Sequence, residues 1–285
     1  MDLAAARRYC AAVARGRDEL TPIFLGLLSR AQREALAAVH AFVRLADDFA
    51  DEPVFAGRRE ALLDAWEGAL ERCFAGEASH PVFVALRASA HELGLPPEPF
   101  RDLLSAFRQD ARVGRYETFG DVLDYCRRSA DPVGRLVLRI LGIDDARRRA
   151  WSDRLCTALQ LTRFWLNLSV DIPRDRLYLP LEDLDRFGVP LRDVLERRAT
   201  PAMGSLLRCE VERAEGLFRE GWPLVPRAGW PGGPYLGAVW LGGRGVLAMT
   251  RAAGTRVFRE RPVLGVRGGA AWGWAAARHG LGVGG

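Results

Sequence analysis

The chain has 285 residues, nearly half of them hydrophobic, which is enough for a substantial core in one large domain or two small ones. It contains no Lys, so all 41 basic residues are Arg, and the net charge is only +5. No basic tract is interleaved with aromatics, which excludes nucleic-acid binding as an expectation. The five Cys (Cys10, Cys73, Cys126, Cys156, Cys209) form no CxxC pair and no zinc spacing. Their odd number, without a signal peptide, leads to an expectation of reduced thiols and a cytoplasmic location. The most apolar run, Tyr235 to Thr250, is interrupted by Arg244 and falls short of the ~20 residues of a membrane span.

The hydrophobic period is helical almost throughout. A first amphipathic helix is predicted over 2–15, followed by a loop containing Thr21-Pro22. A long helix starts near Ala31 and is stopped by Pro53. Further helices are predicted over 57–75, 81–93, 97–112, 118–128 and 131–141, with Gly94, Pro96 and Pro97 marking one boundary. A long helix over 145–170 ends before Pro173. Residues 174–199 read as irregular with short helical turns, and helices resume over 201–219 and 233–258. The tail after Pro262 is Gly-rich. No alternating β-branched run argues for a sheet, so the expectation is a single all-α domain.

Two stretches carry chemistry. At the end of the helix that starts near Ala31, Asp47 and Asp51 lie one turn apart, and Asp48 and Glu52 repeat the pair one residue on. Acid at a helix C-terminus opposes the macrodipole, and stacked carboxylates repel unless a cation joins them. Mg²⁺ suits such a place, since it takes one or two carboxylates and completes its octahedron with water and phosphate oxygens. The alternative is a solvated acidic helix end. Arg44, one turn before Asp48, could meet the same phosphate. In the second stretch, Arg163, Asn167 and Asp171 are spaced i, i+4, i+8 on an otherwise apolar helix. Such a stripe needs polar partners if buried. Two inward stripes would frame a central cavity for a diphosphate head and an apolar tail; a surface stripe is the alternative.

With these stretches in view, the chain resembles the squalene/phytoene synthase family, the head-to-head prenyl diphosphate synthases, from about Tyr9 to Pro262. The first motif matches through Arg44, Asp47, Asp48 and Asp51. The middle matches through Phe107-Arg-Gln-Asp110, Arg115-Tyr116 and the run from Tyr125-Cys126 to Gly134. The second motif matches through Gln160-Leu-Thr, Phe164-Trp165, Asp171 and Arg176-Leu-Tyr178-Leu-Pro180. Ser129 to Gly134 and Tyr178-Leu-Pro-Leu-Glu-Asp-Leu are most similar to the bacterial hopanoid-pathway branch, which converts presqualene diphosphate and water to hydroxysqualene.

The resemblance implies an all-α isoprenoid-synthase fold with a central cavity, an apolar tunnel and Mg²⁺ dependence. It places Asp47, Asp48, Asp51, Asn167 and Asp171 at metal, and Arg44, Arg163 and Arg176 at substrate diphosphate. Tyr125, Val133, Gly134 and Gln160 would line the reaction cavity and Tyr178 would close it. Packing is the alternative for Tyr178, and close helix approach for Val133 and Gly134. The implied substrate is presqualene or farnesyl diphosphate; head-to-head condensation of farnesyl or geranylgeranyl diphosphate is a second reading. A degenerate prenyl-diphosphate-binding protein, or a partner of an active paralogue, is a third.

The second motif departs from the family, which normally has Asn at the position of Arg163 and Asp at the position of Asn167; Leu166 stands where Gln is common. A guanidinium cannot ligate Mg²⁺. Arg163 therefore binds diphosphate in place of a metal ion, marks a site without turnover, or bridges to Asp171. Gly242, Gly243, Gly245 and Gly254 fall inside a predicted core helix, which suggests either tight packing or drift. Trp222, Trp230, Trp240, Trp272 and Trp274 concentrate near the C-terminus, either as a face that dips into a bilayer or as core.

Overall fold

The computed structural model describes residues 2–14 and 26–262. The loop expected at Thr21-Pro22, and Trp272 and Trp274, lie outside the described residues. Among the described residues the regular structure is helical, with one isolated parallel bridge between Arg115 and Leu177. No helix among them is long and apolar enough to cross a membrane. The chain's contacts divide into two compact units, one of residues 1–112 and 128–149, the other of residues 113–127 and 150–285.

In the first unit, α1 (Leu3–Ala14), α2 (Arg30–Asp51) and α4 (Pro81–Leu93) pack on one another, joined by α3 (Arg59–Phe74) and α5 (Glu98–Asp110). α2 begins at a reciprocal cap: Ser29 Oγ accepts from Gln32 N, and Gln32 Oε1 accepts from Ser29 N. Pro53 then ends it, and α2 runs to Asp51 as expected. The core centres on Phe42, fully buried, whose ring centroid lies 5.1 Å from that of Phe100 and 5.8 Å from that of Trp66. Truncating such a ring costs about 3–5 kcal/mol. Outside, Arg101 and Arg108 of α5, and Arg112 just beyond it, run down the acids of α3: Arg101 to Glu71, Arg108 to Glu67 and Asp64, Arg112 to Glu60. These pairs are exposed enough that each contributes only about 0.2–1 kcal/mol.

The second unit contains the first residues of α6 (Phe119–Ser129) and most of α8 (Ala146–Leu166). α9 (Leu168–Asp171), α10 (Leu181–Arg186), α11 (Leu191–Leu195), α12 (Pro201–Gly221), α13 (Leu224–Arg227) and α14 (Gly232–Ala253) follow. The remaining helix, α7 (Asp131–Ile140), belongs to the first unit. α14 packs on α12. A Cβ at Gly243 would stand 2.3 Å from Leu159 Cδ2 and 2.8 Å from Phe218 Cζ, so tight packing accounts for this glycine. Trp222 and Trp240 pack together with centroids 4.5 Å apart, and Trp240 Nε1 donates to Phe218 O at 2.9 Å. These two are packed rings; Trp230, 66% exposed, is not.

Two expected boundaries move. The helix predicted over 145–170 breaks at Asn167, where α8 ends and α9 begins. The helix predicted to 258 stops at Ala253 and continues as a 3-10 turn, Gly254–Phe258. The irregular stretch 174–199 contains α10 and α11, each opened by a proline at its N-cap, Pro180 and Pro190.

Candidate active site

In the first unit the acidic end of α2 carries Asp47, Asp48 and Asp51, all half-buried. Arg44 is drawn onto this cluster rather than away from it. Its Nη2 lies 2.9 Å from Asp48 Oδ1 and its Nε donates to Asp48 Oδ2 at 3.3 Å, a two-pronged i, i+4 pair. Burial nevertheless holds the Asp48 carboxyl above its ordinary range; Arg44 pulls it down, while Glu52 and Asp51 push it further up. The last turn of α2 has no basic residue. The cluster therefore concentrates negative charge where the helix dipole also disfavours it. Also in this unit, Val133 and Gly134 stand in the first turn of α7, behind Pro132, with Gly134 buried and Val133 half-buried. His40, one turn before Arg44, is half-buried.

In the second unit the stripe predicted on α8 survives the helix break. Asn167 N donates to Arg163 O at 3.0 Å, and Asp171 N donates to Asn167 O at 2.9 Å, so the i, i+4 register holds across the kink. Arg163 is exposed, while Asn167 and Asp171 are half-buried. Asn167 Oδ1 is buried and accepts no hydrogen bond. Arg176 returns beside Asp171, its N–H donating to Asp171 O at 3.0 Å.

Gln160 and Phe164, one turn apart, share the face of this stripe. Phe164 stacks on Tyr178 with centroids 3.7 Å apart and planes within 5°. Tyr125 lies 5.8 Å from Tyr178 and 6.0 Å from Phe164; Tyr116 lies 5.6 Å from Tyr178 and 5.7 Å from Tyr125. The four rings form one cluster. Sequence reasoning assigned roles to Tyr125 and Tyr178 but none to Tyr116 or Phe164; the Arg115-Tyr116 pair and the Gln160–Phe164 spacing were the available signals.

The cluster is held by a strap between residues 113–119 and 175–183. Leu177 N donates to Gly114 O at 2.9 Å, Leu181 N to Tyr116 O at 3.0 Å and Glu182 N to Glu117 O at 2.9 Å. Phe119 N donates to Glu182 Oε1 at 2.7 Å. Arg115 clasps the Asp175 turn, donating to Asp175 O at 2.6 Å and to the Asp175 carboxylate. The two segments approach so closely that a Cβ at Gly114 would lie 2.5 Å from Asp175 O.

Among the described residues no group of three or more His, Cys, Asp or Glu is gathered as a ready-made metal cage.

The squalene/phytoene synthase family model matches residues 2–267. The chain is 36% identical over 211 residues to the hydroxysqualene synthase of Rhodopseudomonas palustris, covering 73% of this chain and 71% of that protein. It is 32% identical over 254 residues to the 15-cis-phytoene synthase of Synechocystis sp., covering 82% of this chain and 73% of that protein. Among solved structures, squalene synthase HpnC from Alicyclobacillus acidocaldarius superposes with a TM-score of 0.81 at 41% identity, covering 88% of this chain and 95% of that one. The all-α isoprenoid-synthase architecture expected from the sequence is therefore present, and the chain belongs to the squalene/phytoene synthase family.

Proposed function

We propose that this protein ionises presqualene diphosphate and lets water capture the resulting cation, giving hydroxysqualene. The carbon–oxygen bond to diphosphate breaks heterolytically, and the electron pair leaves with the diphosphate. A water lone pair then adds to the rearranged carbocation, and the added water gives up a proton. The aromatic cluster of Tyr116, Tyr125, Phe164 and Tyr178 is the observation that carries this reading. Ring faces attract positive charge, and three of these four rings are tyrosines bearing a polar tip.

The donor set fits Mg²⁺. At the end of α2 the ion's ligands would be Asp47 and Asp51, with Asp48 beside them; at the α8–α9 break they would be Asp171 and the orphaned Asn167 Oδ1. Bound there, Mg²⁺ would neutralise charge on the departing diphosphate. Arg176 and Arg163 supply hydrogen-bond forks for phosphate oxygens, and Arg44 orients Asp48 as well as meeting phosphate. Val133 and Gly134 at the start of α7, and Gln160 on α8, would each limit the access of stray water to the cation. Among the described tryptophans, the exposed Trp230 is the one that contact with a product-bearing bilayer would bury.

A second reading, head-to-head condensation of farnesyl or geranylgeranyl diphosphate, is favoured by the similarity to the Synechocystis phytoene synthase. One assay separates them. The protein is incubated with Mg²⁺ and each diphosphate in turn; pyrophosphate release is followed and the extract is analysed by mass. Hydroxysqualene from presqualene diphosphate supports the first reading. A C30 or C40 product from farnesyl or geranylgeranyl diphosphate alone supports the second. Binding without pyrophosphate release from any of them refutes both and leaves a prenyl-diphosphate-binding protein, alone or serving a paralogous subunit.

A further inference from the structure

α12 and α10 bury a group of ionisable side chains that has no part in the roles above. Glu210 is 0% exposed and Asp183 is 1% exposed. Arg213 stands between them. Its Nη2 donates to Asp183 Oδ1 at 3.0 Å, and its Nη1 donates to Glu210 Oε1 at 2.9 Å and also to Asp183 Oδ2. The flat face of the guanidinium lies over the Phe119 ring, 4.3 Å from its centroid. One guanidinium thus contacts both buried carboxyls, and the other cation near them, the exposed Arg186, reaches Asp183 only at 3.9 Å, so a second buried negative charge would be poorly compensated. Glu210 Oε2 is itself buried with no hydrogen-bond partner. A bare carboxylate oxygen in that place loses its hydration and gains nothing, whereas a protonated one loses far less.

The neighbours agree. From α10, Arg186 lies 3.9 Å from Asp183 and also over the Phe187 ring. From α12 itself, Cys209 is adjacent, its thiol pushed up by burial. From α6 comes the Phe119 ring, and α14 sends Arg251 to Glu215 rather than to Glu210. Burial pushes Glu210 up to about 8; Arg213 opposes it, while the charge of Asp183 and a hydrogen bond between the two carboxyls add to it, so the neutral acid's proton is shared toward Asp183.

Asp183 is not an isolated acid. It lies in the first turn of α10, directly after the strap residues Leu181 and Glu182, three residues beyond Pro180 and five beyond Tyr178. Phe119, beneath Arg213, is tied by its N–H to Glu182. We propose that Glu210 is a positioning residue: as a neutral acid it leaves Arg213 committed to Asp183, and the clamped α10 holds Tyr178 against Phe164. This rests on the diphosphate-ionising reading, but its test does not depend on that reading alone.

Glu210→Gln keeps shape, neutrality and the oxygen that accepts from Arg213. Asp183→Asn instead frees Arg213 to stabilise an ionised Glu210. Near-ultraviolet circular dichroism of the tyrosine cluster and the infrared carbonyl band of a protonated carboxyl are followed between about pH 6 and pH 10. In the parent protein both signals change near pH 8. Glu210→Gln removes both changes, and Asp183→Asn moves the infrared change to lower pH. With prenyl diphosphate at saturation, the parent's rate of pyrophosphate release falls about tenfold per pH unit above that point with KM unaltered, and Glu210→Gln stays flat. An infrared change that persists in Glu210→Gln, or a dichroism change that persists there, overturns the proposal. An alkaline fall in rate shared equally by Glu210→Gln overturns it as well. Absence of pyrophosphate release at every pH refutes the enzymatic reading, while the two spectroscopic results still decide the clamp.

Discussion

Replacing Gly242 and Gly243 by alanine, one at a time, should move stability in opposite directions. Both lie in the interior of α14, where alanine is favoured over glycine by about 0.5–1 kcal/mol. A Cβ at Gly242 meets nothing within 4 Å, so Gly242→Ala should realise that gain in full. A Cβ at Gly243 would lie 2.3 Å from Leu159 Cδ2, 2.8 Å from Phe218 Cζ and 3.0 Å from Phe218 Cε1. The Leu159 methyl is the end of a flexible side chain and can turn away. The Phe218 ring, fully buried, cannot, and overpacking of this kind costs about 1–3 kcal/mol. Less the helix gain, Gly243→Ala should be destabilising by up to about 2.5 kcal/mol. Urea unfolding followed by far-ultraviolet circular dichroism measures both, and thermal midpoints should shift by about 2–4 °C per kcal/mol. A Gly243→Ala protein stabilised as much as Gly242→Ala would refute the close approach of α14 to Leu159 and Phe218. A destabilised Gly242→Ala would refute the open space at its neighbour.

Three further outcomes are expected. Glu210 sits at about 8 in the folded chain against an ordinary 4.5, so the folded state binds the extra proton; stability is full below the ordinary value and falls as pH rises toward 8, by at most about 5 kcal/mol. Urea midpoints at pH 5 and pH 8.5 check this, and Glu210→Gln should flatten the difference. Tyr178→Ala should cost about 3–5 kcal/mol of stability and most of the turnover, whereas Tyr178→Phe keeps the stack on Phe164 and loses little stability, as parallel melting curves and pyrophosphate assays would show. Arg163→Asn with Asn167→Asp should lower the Mg²⁺ concentration for half-maximal pyrophosphate release by at least about tenfold, and a chelator should abolish release in both proteins.

Helix periodicity was legible because it is local. The starts of α4, α7 and α12 fell where proline or a capping residue stands, and α2 ended at Pro53 as written. The break at Asn167 was not legible, because the register Arg163–Asn167–Asp171 is the same in a kinked helix as in a straight one. The alternatives left open for Gly243 were decided by Phe218, twenty-five residues upstream, which no window of α14 contains. Likewise Glu210 reads as an ordinary polar position on an amphipathic helix; only the fold brings Asp183 to the same guanidinium. The part of the candidate site that lay in short spacings was visible, namely the α2 acids and the α8 stripe. The part made by non-local pairing, the four-ring cluster and its strap, was visible only as separate motif fragments.

That strap shows why a single buried proton can matter. Ordering residues 177–182 costs about 1–2 kcal/mol each in backbone freedom, or roughly 6–12 kcal/mol. The hydrogen bonds made by Leu177 N, Leu181 N, Glu182 N and Glu182 Oε1 return about 0.5–1.5 kcal/mol each, roughly 2–6 kcal/mol together. Burial of Leu177, Tyr178 and Leu179, none more than 8% exposed, returns about 1.5–3 kcal/mol each. These opposing quantities meet to within a few kcal/mol, so the segment that presents Tyr178 stands near balance by its own contacts. In the proposed clamp, the link from Arg213 to Asp183, just past this segment, adds to what holds Tyr178. An ionised Glu210 competing for that guanidinium would draw on the interaction the strap has least of in reserve.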